Sequence, residues 1–247
     1  GGTLAAGSAN TFNSVYDRDI DALMARTYHR PAALGVVSVR AGMVQGVLLG
    51  VLSALVLWAT ANVLSAMLAL VAIVFYAVVY TMILKRRTSQ NIVWGGAAGC
   101  MPVLIAWAAV TDSLSWTPVV LFLIVFFWTP PHYWPLAMRF REDYAAAGVP
   151  MLPVVKSDAE VVRSILWYSW VMVGVSLALV PIAPMGWVYA VGATVLGVAF
   201  LWQAYSVRKA VRRSDAQVTK VAMRLFHGSI TYLALLFLLV ALEPFVP

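Results

Sequence analysis

The sequence predicts an all-α polytopic membrane protein. Of its 247 residues, 62% are hydrophobic and 11% are charged, whereas about a quarter of the residues in a soluble domain are charged. Apolar runs long enough to cross a bilayer as a helix recur along the whole chain. All 17 lysines and arginines lie at the ends of these runs, in loops that alternate to the same side of the membrane.

Eight apolar segments are predicted to span the membrane. They cover approximately residues 1–16, 42–60, 63–84, 91–110, 117–138, 161–180, 186–206 and 221–241. Because the first segment resembles the middle of a helix rich in small residues, we expect that an N-terminal span is missing and that the full bundle has nine helices. We expect residues 1–247 to form a single domain, and Pro130-Pro131 to break the fifth span.

The charged loops predict the orientation. The basic loops cover residues 17–40, 85–90, 139–163 and 207–224. The opposite loops carry only Asp112 and Glu243. The positive-inside rule therefore places the basic side in the cytoplasm of a bacterial cell, or in the matrix if the membrane is the mitochondrial inner membrane. The same rule accounts for the net charge of +7, so membrane lipid is an expected partner and nucleic acid is not.

The single cysteine, Cys100, excludes an intramolecular disulfide and a cysteine-based metal site.

An acidic stripe at the rim of the first span is the strongest functional signal. In Asn13-x3-Asp17-x3-Asp21, read as one helix, steps of four residues keep the three side chains on one side. Carboxylate and amide oxygens suit Mg²⁺, with water and substrate phosphate completing its octahedron. We predict a magnesium site here and leave Asp19 outside it. The alternative is a solvated helix end whose carboxylates pair with arginines.

Two more loops on the same side carry complementary groups. Glu142-Asp143 supplies a second pair of carboxylates, and Lys85, which lies nearest the membrane in its basic cluster, is the best candidate to bind phosphate. The alternatives are an interfacial segment that meets anionic lipid and a stop-transfer cluster. Asp17 and Asp143 each open a long basic loop, four spans apart, which indicates two halves of similar layout around a shared pocket.

One histidine lies inside the fifth span. His132 follows Pro130-Pro131 and precedes Arg139 by about two helical turns. An ionisable side chain within a span is a functional hypothesis by default, and the alternative is a structural histidine bonded to a freed backbone carbonyl.

An isoprenyl diphosphate fits three of these features together: acids for Mg²⁺, bases for phosphate and a large apolar pocket. Mg²⁺ and the cations would stabilise the departing diphosphate, and aromatic rings would shield the allylic cation from water.

Four ordered motifs resemble the UbiA superfamily of intramembrane prenyltransferases and, within it, the branch that farnesylates heme. They are Asn13-x3-Asp17-x3-Asp21, Tyr80-Thr-x2-Leu84-Lys85-Arg86-Arg87-Thr88-x-Gln90-Asn91, Trp128-Thr-Pro-Pro-His132-Tyr-Trp and Glu142-Asp143-Tyr144-x3-Gly148-Val-Pro-Met-Leu-Pro153. Other branches carry a second motif of two spaced aspartates and a Tyr-x3-Lys spacing. Here Glu142-Asp143 and Tyr80-x4-Lys85 stand in their place, which fits the heme branch.

The resemblance implies a UbiA-type bundle with its site at the cytoplasmic rim. The implied reaction transfers a farnesyl group from farnesyl diphosphate to a vinyl group of heme b and gives heme O. The catalytic residues implied are Asp17, Asp21, Lys85 and Asp143, and the implied Mg²⁺ ligands are Asn13, Asp17, Asp21, Glu142 and Asp143. Substrate binding is expected from Asn13, Arg26, Arg30, Tyr80, His132, Arg139, Arg141 and Tyr144. The arginines and His132 would meet heme propionates or the iron, and heme A synthase and oxidase assembly proteins are expected protein partners.

Two alternative functions stay open. One is a prenyltransferase with an aromatic acceptor such as a quinone precursor, against which the Pro-Pro-His and Gly-Val-Pro-Met-Leu-Pro stretches argue. The other is a transporter that works by alternating access. A transporter should place its charges near the middle of the membrane, whereas the charges of this chain crowd at one face.

Overall fold

The computed structural model describes residues 1–183 and 185–245, and within these ranges the protein is helical without any β-strand. The helices are α1 (Gly2–Tyr16), α2 (Arg18–Leu23), α3 (Val39–Thr60), α4 (Val63–Leu84), α5 (Asn91–Thr111), α6 (Trp116–Arg139), α7 (Arg141–Ala146), α8 (Leu152–Val155), α9 (Asp158–Ile182), α10 (Trp187–Arg212) and α11 (Val218–Leu242). The second half of α4, Phe75–Leu84, is a π-helix. A 3₁₀ turn, Glu243–Phe245, follows α11.

The first predicted span is shorter than a bilayer requires. α1 has 15 residues, which is about 22 Å at 1.5 Å per residue, whereas the hydrocarbon core is about 30 Å thick. In the described part of the chain, seven helices are long and apolar enough to cross a membrane. Within the described residues, the prediction of eight spans is therefore corrected to seven spanning helices and the short α1, and the ninth span stays a prediction. The membrane-spanning all-α class is confirmed.

The prediction that Pro130-Pro131 breaks the fifth span is wrong. α6 runs without interruption from Trp116 to Arg139 and contains three prolines. Each proline removes only one backbone donor, and the hydrogen bonds on either side keep the helix together. The Thr129 hydroxyl donates to the carbonyl of Val125 (2.8 Å) in the same turn. Membrane helices tolerate proline in this way when other groups and neighbouring helices satisfy the freed backbone.

Contacts between Cα atoms group the chain into two compact units, which are described separately. The first unit comprises Gly1–Leu114 together with Glu142–Met151. The second comprises Ser115–Arg141 together with the chain from Leu152 onward. The single domain and the shared pocket between two halves stay predictions.

In the first unit, a stripe of glycines on α3 lets α1 approach closely. A Cβ atom at Gly46 would lie 2.7 Å from Cε1 of Phe12, and one at Gly42 would collide with Val15. The Ser8 hydroxyl donates to the Gly46 carbonyl (2.7 Å). Small residues at intervals of four are typical of closely packed membrane helices. This packing fixes the end of α1, where the acidic stripe begins.

The second unit contains four long helices. α6 and α10 each contact both α9 and α11. The indole of Trp128 on α6 donates to the carbonyl of Ser229 on α11 (2.8 Å). In the same unit, the hydroxyls of Ser176 and Tyr232 are 2.9 Å apart and the Tyr189 hydroxyl donates to the Ser176 carbonyl (2.9 Å). These buried polar contacts fix the helices against one another, because an unpaired polar group is costly inside a membrane.

Candidate functional site

The side chains of the acidic stripe lie on one side, as their spacing predicts, and that side faces the interior of the first unit. Asp17 is completely buried and Asp21 is 2% exposed, whereas the Asp19 side chain is 61% exposed. The three residues do not lie on one unbroken helix, because α1 ends before Asp17 and α2 begins after it. The amide of Asp21 nevertheless donates to the carbonyl of Asp17 (2.7 Å). The helical register therefore continues through the turn and keeps Asn13, Asp17 and Asp21 on the buried side.

Asp17 lies at the centre of a hydrogen-bond cluster. The Lys85 ammonium donates to Oδ2 of Asp17 in a short ion pair. Nδ2 of Asn13 donates to the same oxygen (2.7 Å) and to the Thr81 hydroxyl (3.3 Å). Nη2 of Arg86 lies 3.5 Å from Oδ1 of Asp17. A carboxylate without exposed surface requires such partners, because removing it from water costs several kcal/mol.

The π-helical half of α4 positions two members of this cluster. The Thr81 hydroxyl donates to the carbonyl of Tyr76, five residues earlier (2.8 Å). The Lys85 amide donates to the carbonyl of Tyr80, again five residues earlier (2.9 Å), and the Lys85 carbonyl accepts from Nδ2 of Asn91 (3.1 Å). π-Helical turns are rare and often occur at functional sites. Here the wider turn brings Thr81 and Lys85 to α1.

Two more ion pairs surround the stripe. Nη1 of Arg30 lies 2.8 Å from Oδ2 of Asp21, and Arg86 donates to both oxygens of Asp19 at 2.8 and 2.7 Å. The hydrogen bonds from Arg86 lower the pKa of Asp19 to about 2, and the same contact raises the pKa of the Arg86 guanidinium. The three aspartates are thus matched by three cations. The cluster is close to electrically neutral without any ligand.

The oxygen atoms of the stripe fit a magnesium ion chemically. Asp17 and Asp21 offer carboxylates, and Asn13 offers its amide oxygen, because the amide nitrogen is the donor in its hydrogen bonds. Mg²⁺ is commonly held by one or two carboxylates together with substrate phosphates and water. Among the residues that the structure describes, no three Asp, Glu, His or Cys side chains converge. A magnesium ion here would therefore depend on oxygens from its substrate.

The second acidic loop belongs to the first unit. Nη2 of Arg26 donates to the hydroxyl of Tyr144 (3.4 Å), and the Arg26 guanidinium lies 6.0 Å from the centre of that ring. Tyr144 is buried, whereas Glu142 is exposed and Asp143 is half-buried in the first turn of α7. Neither acid forms an ion pair with any residue in the described ranges. Their metal-binding role stays a prediction, while Arg26 and Tyr144 do meet.

His132 belongs to the second unit, where neighbouring side chains hold its ring. Its Nδ1 lies 2.7 Å from the Ser229 hydroxyl. The ring stacks between Trp128 and Phe226, with centroid distances of 4.2 and 4.6 Å. These contacts agree with the alternative that His132 is a structural histidine. Its partner is a serine hydroxyl, whereas that alternative expected a freed backbone carbonyl. A contact between His132 and heme stays a prediction.

Three other predicted residues have packing or ion-pair partners. Arg141 forms a short ion pair with Asp158, and the Arg139 guanidinium lies 5.5 Å from the ring of Phe140. Tyr80, in the first unit, packs its ring against Gly95 of α5, where a Cβ atom would collide with it. The structure therefore gives Tyr80 a packing role, and the substrate roles of Tyr80, Arg139 and Arg141 stay predictions.

An apolar cavity of about 520 Å³ lies in the first unit between α1, α3, α4 and α5. Small and aliphatic residues such as Ala9 and Pro102 line it, and its polar lining residues are Asn10 and Tyr76. On α1 the lining runs from Gly2 to Asn10, about 12 Å along the helix axis. Asn10 precedes Asn13 by one helical turn. The cavity therefore leads along α1 toward the acidic cluster.

The sequence analysis did not identify three members of the cluster. Thr81 and Asn91 lie within the motif that contains Lys85, so a signal was available. Thr81 and Lys85 are four residues apart, so helical spacing places them on one face, but spacing does not show that this face meets α1. Arg86 lies in the same basic cluster as Lys85, and in the structure it bridges Asp17 and Asp19.

Comparisons with known proteins agree with this fold and identify the family. The profile of the UbiA prenyltransferase family matches residues 1–242. The protoheme IX farnesyltransferase of Streptomyces avermitilis is 58% identical over 99% of this chain and 80% of its own length, and that of Streptomyces coelicolor is 56% identical over 99% and 78%.

Solved structures share the fold at low sequence identity. A structure described for digeranylgeranylglyceryl phosphate synthase matches with a TM-score of 0.76 at 14% identity and covers 97% of this chain and 81% of that chain. A UbiA homologue from Archaeoglobus fulgidus bound to DMAPP and Mg²⁺ matches with a TM-score of 0.64 at 18% identity, over 97% of this chain and 87% of that chain. The protein is therefore an integral membrane protein that belongs to the UbiA prenyltransferase family.

Proposed function

We propose that this protein transfers the farnesyl group of farnesyl diphosphate to a vinyl group of heme b and so produces heme O. The relatives named protoheme IX farnesyltransferase support this proposal, because they are 52–58% identical over nearly the whole chain. One structural observation carries it: an apolar cavity of about 520 Å³ extends along α1 to Asn10, one helical turn before the buried cluster of carboxylates and cations in the same unit.

The cavity suits the farnesyl tail. Its volume falls in the range of about 300–1,000 Å³ that is usual for small-molecule sites. The lining residues of α1 before Asn10 are apolar, and the lining becomes polar at Asn10, one turn before Asn13. A prenyl chain in the cavity would therefore present its diphosphate to the acidic cluster.

The ion pairs of the cluster would be exchanged when the diphosphate binds. Lys85 and Arg30 donate to carboxylates in this structure, and both side chains also bind phosphate oxygens well. When they donate to the diphosphate, Asp17 and Asp21 become available to hold Mg²⁺ together with Asn13. Bound Mg²⁺ supplies Lewis acidity that stabilises the charge on departing diphosphate. The summed charge of the carboxylates, the cations and their ligands therefore stays close to zero with and without bound substrate.

The residues of the chain would then assist bond cleavage. Lys85 stabilises the negative charge that develops as the allylic C–O bond breaks. The ring of Tyr76 lines the cavity, 5.3 Å from the ring of Tyr80, and its face can shield the allylic cation from water. The vinyl group of heme b forms the new C–C bond. Water adds to the cation left on the porphyrin side chain and releases a proton.

The proposed location is the cell membrane of a bacterium, with the active face in the cytoplasm. The relatives are bacterial, and the positive-inside rule assigns the basic loops that carry Lys85 and Arg30 to the cytoplasmic side. Heme A synthase or oxidase assembly proteins are the partners proposed to receive the product.

The test is an assay of purified protein with heme b, farnesyl diphosphate and Mg²⁺, followed by mass analysis of the pigments. We expect farnesylated heme from the wild type. Asp17→Asn and Asp21→Asn should each abolish turnover. Asp112→Asn is the matched control, because it removes the same charge from an exposed loop position and should retain full activity. Folded wild-type protein that forms no farnesyl adduct would contradict the proposal.

A second arm of the assay separates the acceptors. Heme b is replaced by an aromatic acid of the quinone-precursor type, with farnesyl diphosphate and Mg²⁺ unchanged. A prenylated aromatic product in place of a farnesylated heme would favour the alternative prenyltransferase. The behaviour of Asp17→Asn should be the same in both arms, because the diphosphate site serves either acceptor.

A further inference from the structure

A basic groove lies between α9 and α10 in the second unit. Its volume is about 280 Å³. A continuation of about 270 Å³ along α10 adds Lys209 and Arg213 to the lining. The side chains on which the inference rests are Arg163, Trp167, Trp170, Tyr205, Arg208 and Arg212.

Helical spacing directs these side chains into the groove. Arg163, Trp167 and Trp170 are four and three residues apart, which places them on one face of α9. The α10 residues repeat this pattern, since Arg208 and Arg212 are four residues apart. The two helices pack against each other. The groove is therefore formed by two facing stripes, each with aromatic rings toward the membrane interior and arginines toward the loop end.

Contacts within the groove join the two walls. Nε1 of Trp170 donates to the Tyr205 hydroxyl (3.2 Å), from one helix to the other. The Arg208 guanidinium lies 6.0 Å from the centre of the Tyr205 ring. The aromatic wall thus has a fixed geometry, and Arg208 is held above it.

The groove contains cations without matching carboxylates. In the described ranges, none of its five basic side chains forms an ion pair. The nearby acids at the start of α9 have other partners, because Asp158 pairs with Arg141 and Glu160 with Lys156. Five like charges in one groove repel each other, so an anionic ligand would stabilise them.

The aromatic residues of the groove are open to the surrounding membrane. Trp167 is 57% exposed and Trp170 is 54% exposed. Trp and Tyr concentrate where the apolar part of a bilayer meets the headgroups. A ligand of this groove should therefore carry negative charge at one end and long apolar chains at the other.

The arginines of the groove come from two helices and line one pocket, which helix-end electrostatics does not require. The positive-inside rule and the dipole at the end of α10 favour cations at these helix ends, but neither directs arginines of two helices into one groove. A magnesium-bound prenyl diphosphate needs carboxylate ligands, and the groove lining has none. The chemistry of this groove therefore differs from that of the acidic cluster in the first unit.

We propose that the α9–α10 groove binds an anionic phospholipid from the membrane. Its phosphate accepts hydrogen bonds from Arg163, Arg208 and Arg212, and its acyl chains lie against Trp167 and Trp170. Basic pockets between membrane helices bind such headgroups in other proteins. A phospholipid with two phosphates should bind more tightly than one with a single phosphate, because the groove continues along α10 with more cations.

Native mass spectrometry of the purified full chain tests this site. The protein is titrated with cardiolipin, phosphatidylglycerol and phosphatidylcholine. Arg163→Gln/Arg212→Gln removes one exposed cation from each wall and should weaken cardiolipin binding about 30-fold. Lys220→Gln/Arg224→Gln removes two exposed charges from α11 outside the groove and should change cardiolipin affinity little. Phosphatidylcholine binding should be the same in all variants.

Three results would overturn the inference. One is unchanged cardiolipin affinity in the groove variant, and another is an equal loss in the α11 control, which would indicate only diffuse attraction by positive charge. The third is displacement of cardiolipin by inorganic diphosphate or farnesyl diphosphate at equal concentration, which would assign the groove to a soluble anion or to substrate. If the double variant does not fold, Arg208→Gln is judged by the same criteria.

Discussion

The ammonium group of Lys85 and the carboxylate of Asp17 form an ion pair between residues 68 positions apart, and the carboxylate has no exposed surface. The same lysine is the one proposed to stabilise the departing diphosphate. Stability and catalysis therefore depend on one contact in the first unit, and mutations can separate the two roles.

Lys85→Met should destabilise the protein more than Asp17→Asn does. Without the lysine, Asp17 stays buried as a charge and keeps only Asn13 and the more distant Arg86 as partners. Breaking a buried pair in this way costs about 3–5 kcal/mol when no other partner remains, so we expect about 2 kcal/mol here. The measurement is thermal unfolding of the purified protein in detergent.

The double variant Lys85→Met/Asp17→Asn completes the cycle. It should recover most of the stability lost in Lys85→Met, because the buried charge is gone, yet it should have no farnesyltransferase activity. Equal stability of Lys85→Met and the wild type would contradict the ion pair. Activity in the double variant would contradict the catalytic roles of both residues.

The pair between Asp19 and Arg86 should give a stability contribution that is lost in acid. Hydrogen bonds from Arg86 lower the pKa of Asp19 from 3.8 to about 2. A lowered carboxyl pKa stabilises the folded protein above pH 3.8, and this contribution disappears as the pH falls toward 2. Because Asp19 is mostly exposed, we expect less than about 1 kcal/mol.

The measurement compares unfolding of the wild type and Asp19→Asn between pH 7 and pH 3. The difference should be constant from pH 7 to pH 5 and should shrink below pH 4. A difference that increases as the pH falls would be inconsistent with the pair. Turnover of Asp19→Asn at pH 7 should stay close to that of the wild type, because Asp19 lies outside the proposed metal ligands.

The sequence predicted the membrane class and the common side of Asn13, Asp17 and Asp21, because both depend on local regularities. Seven apolar runs form the spanning helices, and the spacing of Asn13, Asp17 and Asp21 buries them together even though the helix is interrupted at Asp17. Lys85 was identified by its position next to the membrane. Its partner could not be derived from spacing, because the pair joins two distant segments.

Other features depended on tertiary contacts that periodicity does not contain. The cation partners of Asp19 and Asp21 come from separate loops. His132 is held by Ser229, which lies 97 positions later. Each of these results requires knowing which helices are neighbours, and the sequence pattern alone did not supply this.

Gly95→Ala should disturb the π-helical segment that carries Lys85. A Cβ atom at this position would collide with the ring of Tyr80, whose carbonyl accepts from the Lys85 amide. Overpacking of this kind costs about 1–3 kcal/mol. We expect a lower unfolding temperature and a higher KM for farnesyl diphosphate. Gly174→Ala on α9 is the control, because its Cβ atom would meet nothing within 4 Å and it does not line the cavity, so it should change neither stability nor KM.

Ala9→Phe should shorten the prenyl chain that the protein accepts. Ala9 lines the apolar cavity one turn before Asn13, so a phenyl ring there would occupy part of its 520 Å³. Each buried methylene contributes about 0.8 kcal/mol, so excluding several carbons of the farnesyl tail should lower kcat/KM for farnesyl diphosphate at least about 10-fold. Geranyl diphosphate is shorter by one isoprene unit, so its kcat/KM should fall much less.

The measured quantity is the ratio of kcat/KM values for geranyl and farnesyl diphosphate. Ala59→Phe makes the same substitution at an exposed position near the end of α3 that does not line the cavity, and it should leave this ratio unchanged. An equal loss for both substrates in Ala9→Phe would show that the ring disturbs α1 and its acidic stripe rather than the space for the tail. An unchanged ratio with full activity would contradict a prenyl chain bound in the part of the cavity beside Ala9.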